Sequence, residues 1–257
     1  MEVTTAIFIL IIGIIAGGYG TIVGAGGGFI FVPALLILLN IDPVAAAASG
    51  LVIVFINTFS AIIGYAKQKN INYRIGGSII IGAIPSSVLG AWLLQFIDAN
   101  SKVFYWSFAS ILLIFGIVLL YKNSNFSLNK KKSNIDITLQ IKTYRLILLG
   151  LLMGIISSFL GIGGGWLLVP ILIYLFGLSV HQAAATSIFS LCIYSLVGVS
   201  THIFYNNVNW SIVFWGGLGV IIGAQLGVFI AKKLSGQTIL KMLSIVLCIV
   251  GVRMYFS

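Results

Sequence analysis

Acidic side chains are nearly missing from this chain: Glu2, Asp42, Asp98 and Asp136 are all it has in 257 residues. Charged residues of both signs make up 7% of the sequence, against roughly 25% in an average soluble domain. With 60% of the residues hydrophobic, that shortage excludes a soluble fold and reads as an integral membrane protein. No Asp, Glu, Lys or Arg stands well inside an apolar run, so a carboxylate-bound cation inside the membrane is excluded. Cysteine is scarce too. Cys192 and Cys248 both lie in apolar runs, with no CxxC or Cys/His cluster beside them, so neither a disulfide nor a metal pair is expected. No basic stretch precedes the first apolar run at Thr5, so a cleaved signal peptide is not expected. No cofactor is expected.

What is abundant is glycine, 30 residues of it, and its placement organises the chain. Gly24-Ala25-Gly26-Gly27-Gly28 is followed by Pro33, and Gly161-Ile162-Gly163-Gly164-Gly165 by Pro170, 137 positions later. Each cluster interrupts a long apolar run, where glycine is about 1 kcal/mol worse than alanine per helical position. Small residues at a helix contact can produce one such cluster. Two breaks in matching places of two half-chains point instead to a transporter's substrate site.

The same offset aligns the two halves without gaps. Gly13, Gly17, Val32, Leu35 and Leu38 match Gly150, Gly154, Val169, Leu172 and Leu175; Ala46–Ala48 match Ala183–Ala185; Asn72, Gly82 and Gly90 match Asn209, Gly219 and Gly227. The expected fold is all-α. A first repeat, 1–121, holds a glycine-broken hairpin (5–39) and spans 44–66, 73–96 and 103–121. A polar linker, 122–145, follows, and a turn at 98–100 precedes the span 103–121. A second repeat, 146–257, holds a hairpin (146–176) and spans 181–204, 210–231 and 238–256.

If each broken pair enters and leaves on one side, every repeat crosses an odd number of times and the two are inverted. Loops 67–74, 122–145 and 232–241 then share a side that holds 12 of the 14 Lys and Arg. If the broken pair makes one crossing, the split weakens to 10 against 4. The positive-inside rule favours the inverted form, in a multi-pass cell-membrane protein with basic loops cytoplasmic and both termini outside. The net charge of +10 is therefore a topology signal and not a nucleic-acid footprint.

In the hairpin form the short helices after the glycines start inside the membrane. Their free N–H groups and positive dipole ends suit an anion. Gly26, Gly27, Gly28, Gly163, Gly164 and Gly165 carry no side chain to block a ligand. Candidate donors from the long helices are Ser49, Asn57, Thr186, Ser187, Ser190 and Gln225. A lone hydroxyl in a span often bonds its own backbone, whereas the amides of Asn57 and Gln225 need partners in hydrocarbon. His181 and His202 stand near the ends of one span and read as interfacial. Trp166, Tyr194, Trp210 and Trp215 read as interface belt or packing. Cys192 could face the pathway, although its repeat mate is Phe55.

With Gly24–Pro33, Gly161–Pro170 and the alanine-rich helix starts Ala45–Ser49 and Ala183–Ser187 in hand, the chain resembles the sulfite exporter TauE/SafE family of membrane permeases. The resemblance covers nearly the whole chain. It implies a transporter of small, often sulfur-containing anions such as sulfite, sulfoacetate and related organosulfonates. Two departures between the copies, Ala25 against Ile162 and Pro43 against Val180, alter the turns more than the site. The expected partners are a small inorganic or organosulfur anion and the lipid bilayer, and a homo-oligomer is compatible with the sequence. A carrier whose halves rock to alternate access and a passive anion channel would use the same tips, and so would a transporter of a non-sulfur organic anion. An embedded enzyme lacks a nucleophile–base pair in the spans.

Overall fold

The computed structural model describes residues 2–96, 102–124 and 142–256. The expected turn at 98–100 and most of the linker 122–145 lie outside these residues. The described chain is helical throughout: α1 Val3–Val23, α2 Gly28–Leu38, α3 Pro43–Lys67, α4 Tyr73–Leu94, α5 Lys102–Ser124, α6 Thr143–Leu160, α7 Gly165–Tyr174, α8 Val180–Phe204, α9 Trp210–Ala231 and α10 Gly236–Tyr255. Eight of these helices are long and apolar enough to cross a membrane; α2 and α7 are too short. Large apolar side chains such as Ile81, Ile114, Leu148, Phe214 and Phe229 stand exposed on the outside of the bundle. Patches of that kind mark a surface meant for lipid.

Local chemistry sets the helix starts. Asp42 accepts from the Ala45 N–H at 3.1 Å, ahead of Pro43 at the first helical position. Asn72 and Asn209 cap α4 and α9 by accepting from Ile75 and Ile212. Ser179 and Gln182 close a reciprocal capping box on α8. The breaks after α1 and α6 use glycine for a physical reason. Gly24 and Gly161 take φ of +76° and +69°, the left-handed helix stop that side chains resist.

After each stop the chain folds back on itself. A β-carbon on Gly27 would stand 2.6 Å from the Ala16 carbonyl of α1, and one on Gly164 would stand 3.3 Å from Met153 Sδ of α6. Ala16 and Met153 occupy the same place in the two repeats.

The two repeats pack across each other rather than each on itself. α1 lies along α9, α4 along α6, α5 along α10 and α3 along α8. Residue by residue, one contact implies its mirror. A β-carbon on Gly13 would meet Gly216 and one on Gly150 would meet Ile79; likewise Gly17 meets Val220, and Gly154 meets Ala83. Each partner lies 137 positions from its counterpart, which is the signature of a self-complementary, two-fold interface. These contacts are made at bare glycine, so the small-residue packing considered for the tips operates along the helix shafts. The packing units therefore differ from the chain halves: α1, α2, α3 and α9 form one, and α6, α7, α8 and α4 its mate.

Candidate functional site

The two glycine tips meet at the centre of this crossed arrangement. A β-carbon on Gly28 would stand 2.6 Å from the backbone of Ile162, and one on Gly165 would stand 2.5 Å from the Gly24 carbonyl and 2.7 Å from Ala25 Cα. The alanine triplets make the approach feasible. Ala184 Cα lies 2.5 Å from the β-position of Gly24, and Ala47 lies closer still against that of Gly161. Val54 and Leu191, repeat mates, both cover Gly26 and Gly163 and so close the middle of the junction.

The helix starts at the junction keep free donors. Ile30 and Phe31 donate back to the Gly27 carbonyl, and Leu167 and Leu168 to that of Gly164. Among the described residues, the N–H groups of Gly28, Phe29, Gly165 and Trp166 have no backbone acceptor, as the first turn of any helix leaves them.

Two of the expected side chains stand at the tips. Ser187 donates to the Gly24 carbonyl at 2.8 Å and lies 2.9 Å from the β-position of Gly165. Asn57 is fully buried; its Oδ1 accepts from Thr21 Oγ1 at 3.0 Å. Its Nδ2 has no partner and lies 3.4 Å from the β-position of Gly27.

The other expected side chains are engaged elsewhere. Thr186 Oγ1 accepts from the Asn72 N–H and Ser49 Oγ from the Asn209 N–H, each at 3.0 Å. This crossed pair ties the start of α4 to α8 and the start of α9 to α3. Ser190 donates to the Thr186 carbonyl at 2.9 Å and to Gly76 at 3.4 Å. Gln225 sits on an exposed face of α9, where its Nε2 donates to the carbonyl and hydroxyl of Ser60 at 2.8 Å. It does not reach the tips.

Burial settles two residues that the sequence left between interface and packing, and corrects His202, which it read as interfacial. Trp166, Tyr194 and His202 are each fully buried. His202 Nε2 sits 2.9 Å from the Ser158 carbonyl, just as its mate Tyr65 donates to the Thr21 carbonyl at 2.8 Å. The Tyr194 hydroxyl lies 2.8 Å from the β-position of Gly164. The signal that could have found Tyr194 was in the repeat: it occupies the position of Asn57.

Eight apolar spans and a lipid-suited exterior define a multi-pass membrane protein, with a junction of two broken helices buried inside its bundle. The chain belongs to the sulfite exporter TauE/SafE family, whose family model matches residues 9–254. It is 28% identical to the probable membrane transporter protein YunE of Bacillus subtilis, over 98% of this chain and 97% of that one. It is 29% identical to the probable membrane transporter protein MJ0441 of Methanocaldococcus jannaschii, over 96% and 94%. No solved structure matches the chain significantly. The protein is a membrane transporter, not an enzyme.

Proposed function

We propose that this transporter carries a small oxyanion, sulfite or an organosulfonate, held near mid-membrane by the starts of α2 and α7. The observation that carries the reading is the meeting of two glycine tips whose first helical N–H groups lack backbone acceptors. A helix start attracts anions through those groups and its dipole. The Asn57 amide adds a neutral donor beside it. With no charged side chain at the junction, binding is electrostatic yet weak enough to reverse.

The contact of Gly28 with Ile162, capped by Val54 and Leu191, favours a carrier over an open channel, because it leaves no continuous pore between the tips. Access would alternate as the two packing units rock about this contact. The moving bodies would then each exchange one helix with the other chain half, α9 for α4. In the membrane the repeats would be inverted, with the basic loops cytoplasmic and both termini outside.

Purified protein in proteoliposomes is expected to take up sulfite saturably and to show counterflow. Single-channel conductance, or no binding of sulfite, thiosulfate and sulfoacetate, would sink the reading. A cysteine at position 257 is expected to react with impermeant reagent from outside; labelling from the cytoplasmic face would reverse the orientation.

A further inference from the structure

We infer that the second hairpin holds an anionic phospholipid, with its phosphate on Arg145 and an acyl chain lying between α6 and α7. The inference is independent of which anion the protein carries.

The observation is a gap. The two hairpins share a sequence pattern but close differently: α1 and α2 lie in close contact, and α6 and α7 do not. Between α6 and α7 runs a groove of about 720 Å³, lined by Arg145, Leu148, Leu152 and Ile155 of α6 and by Ile171 and Leu175 of α7. Clefts that take a small ligand hold roughly 300–1,000 Å³. Apart from Arg145, every residue on its wall is apolar. Leu148, Leu152 and Leu175 are exposed on the outside of the bundle, so the groove opens sideways to lipid. Ten residues separate Arg145 from Ile155, about 15 Å along the helix and half of the roughly 30 Å hydrocarbon core. The groove therefore has the depth of one leaflet, which suits an acyl chain and is out of reach of a soluble partner.

The charge at its mouth selects the head group. Arg145 is exposed in the first turn of α6. Its guanidinium reaches the neighbouring Tyr144 hydroxyl at 3.4 Å, and the carboxylates among the described residues, Glu2 and Asp42, stand at the starts of α1 and α3. Lys142 stands exposed at the start of the same helix. Lys122 Nζ lies 4.2 Å over the ring of Tyr174, the residue before Leu175. A basic mouth on an apolar groove between membrane helices fits an anionic lipid head group. The first repeat supplies the contrast. The mate of Arg145 is Phe8, and those of Leu148, Leu152 and Leu175 are Ile11, Ile15 and Leu38. That face is as apolar and as exposed, yet it carries no cation and its hairpin is closed.

A second copy of the chain is the other occupant such a face could take. A two-fold contact there would bring the two Arg145 side chains and their neighbouring lysines near one another, which like charges oppose.

The test is native mass spectrometry and thermal unfolding of the full chain, purified in detergent and supplied with phosphatidylglycerol or phosphatidylcholine. The parent is expected to retain phosphatidylglycerol in preference to phosphatidylcholine and to unfold at a higher temperature with it. Arg145→Gln should weaken that retention about fivefold, the scale of one cation beside an anionic head group. Leu152→Trp keeps every cation but fills the groove, and should weaken it as much. Both positions are exposed, so the fold tolerates the changes. Lys241→Gln, which removes an exposed cation of α10, should retain the lipid as the parent does.

Equal retention of the two lipids by the parent overturns the inference, and so does parental retention in Arg145→Gln. An equal loss in Lys241→Gln overturns it by showing attraction to net charge alone. Parental retention in Leu152→Trp would put the lipid elsewhere. A dimer that Leu152→Trp disrupts, with no lipid retained, would assign the face to a second copy. None of these readouts involves a transported anion, so failure of the oxyanion reading leaves this one standing.

Discussion

Gly161→Ala is expected to abolish the folded transporter, with a loss of about 4 kcal/mol and little protein recovered from the membrane. Two costs combine at this residue. Its φ is +69°, a conformation that costs a side chain about 1–3 kcal/mol. The added carbon would also fall against the backbone of Ala47, which cannot rotate away as a side chain can. Overpacking of that kind costs a further 1–3 kcal/mol, roughly. Thermal unfolding in detergent and the yield of monodisperse protein measure the effect.

The internal control is Gly77→Ala on α4, where a β-carbon meets nothing within 4 Å. That variant should be as stable as the parent, or gain up to about 1 kcal/mol from the better helix former. If Gly161→Ala and Gly77→Ala behave alike, the close packing of the tips does not hold the fold together.

The contrast shows what a string of letters reveals about this molecule. Helix existence was plain from long apolar runs, and so was the break at each glycine cluster, because both are local properties of the chain. The repeat was plain because matching glycines recur at one offset. What the spacing could not show was which helix each glycine touches. Gly13 and Gly150 align in sequence, yet one contacts α9 and the other α4. The crossing of repeats that makes those contacts is a long-range fact.

The same holds for the hydroxyls. Ser49 and Thr186 looked like a matched pair aimed at a ligand, and they are indeed matched. Each accepts the N–H of an asparagine that starts a helix of the other chain half, within its own packing unit. Gln225 finds its partner Ser60 on an exposed face. Hydropathy left Trp166 and Tyr194 open between interface and packing and set His202 at an interface, since an aromatic or imidazole in or near the end of a predicted span suits an interface as well as a tertiary contact. Only packing distinguishes the two. Asn57 was readable, because an amide in an apolar helix needs partners wherever the helix goes.

Gly164→Ala is expected to leave the fold standing and cut anion transport by at least about tenfold, the loss of one hydrogen bond to a charged ligand. Gly164 has φ of −83° and ψ of −1°, which alanine adopts without strain. The nearest atom to its added carbon would be the Tyr194 hydroxyl at 2.8 Å, then Met153 Sδ at 3.3 Å. Both are ends of side chains, so the backbone can stay where it is while the added methyl crowds the start of α7.

The repeat mate Gly27 is a different case despite the same letter. It has φ of +81°, and its β-position lies 2.6 Å from the Ala16 carbonyl, so Gly27→Ala should fail by misfolding. Flux per folded molecule in proteoliposomes, with thermal unfolding of the same samples, separates the two outcomes. A folded Gly164→Ala protein with parental flux would show that the start of α7 does not touch the ligand. Equal misfolding of both variants would mean that Gly164, like Gly27, is there for the turn alone.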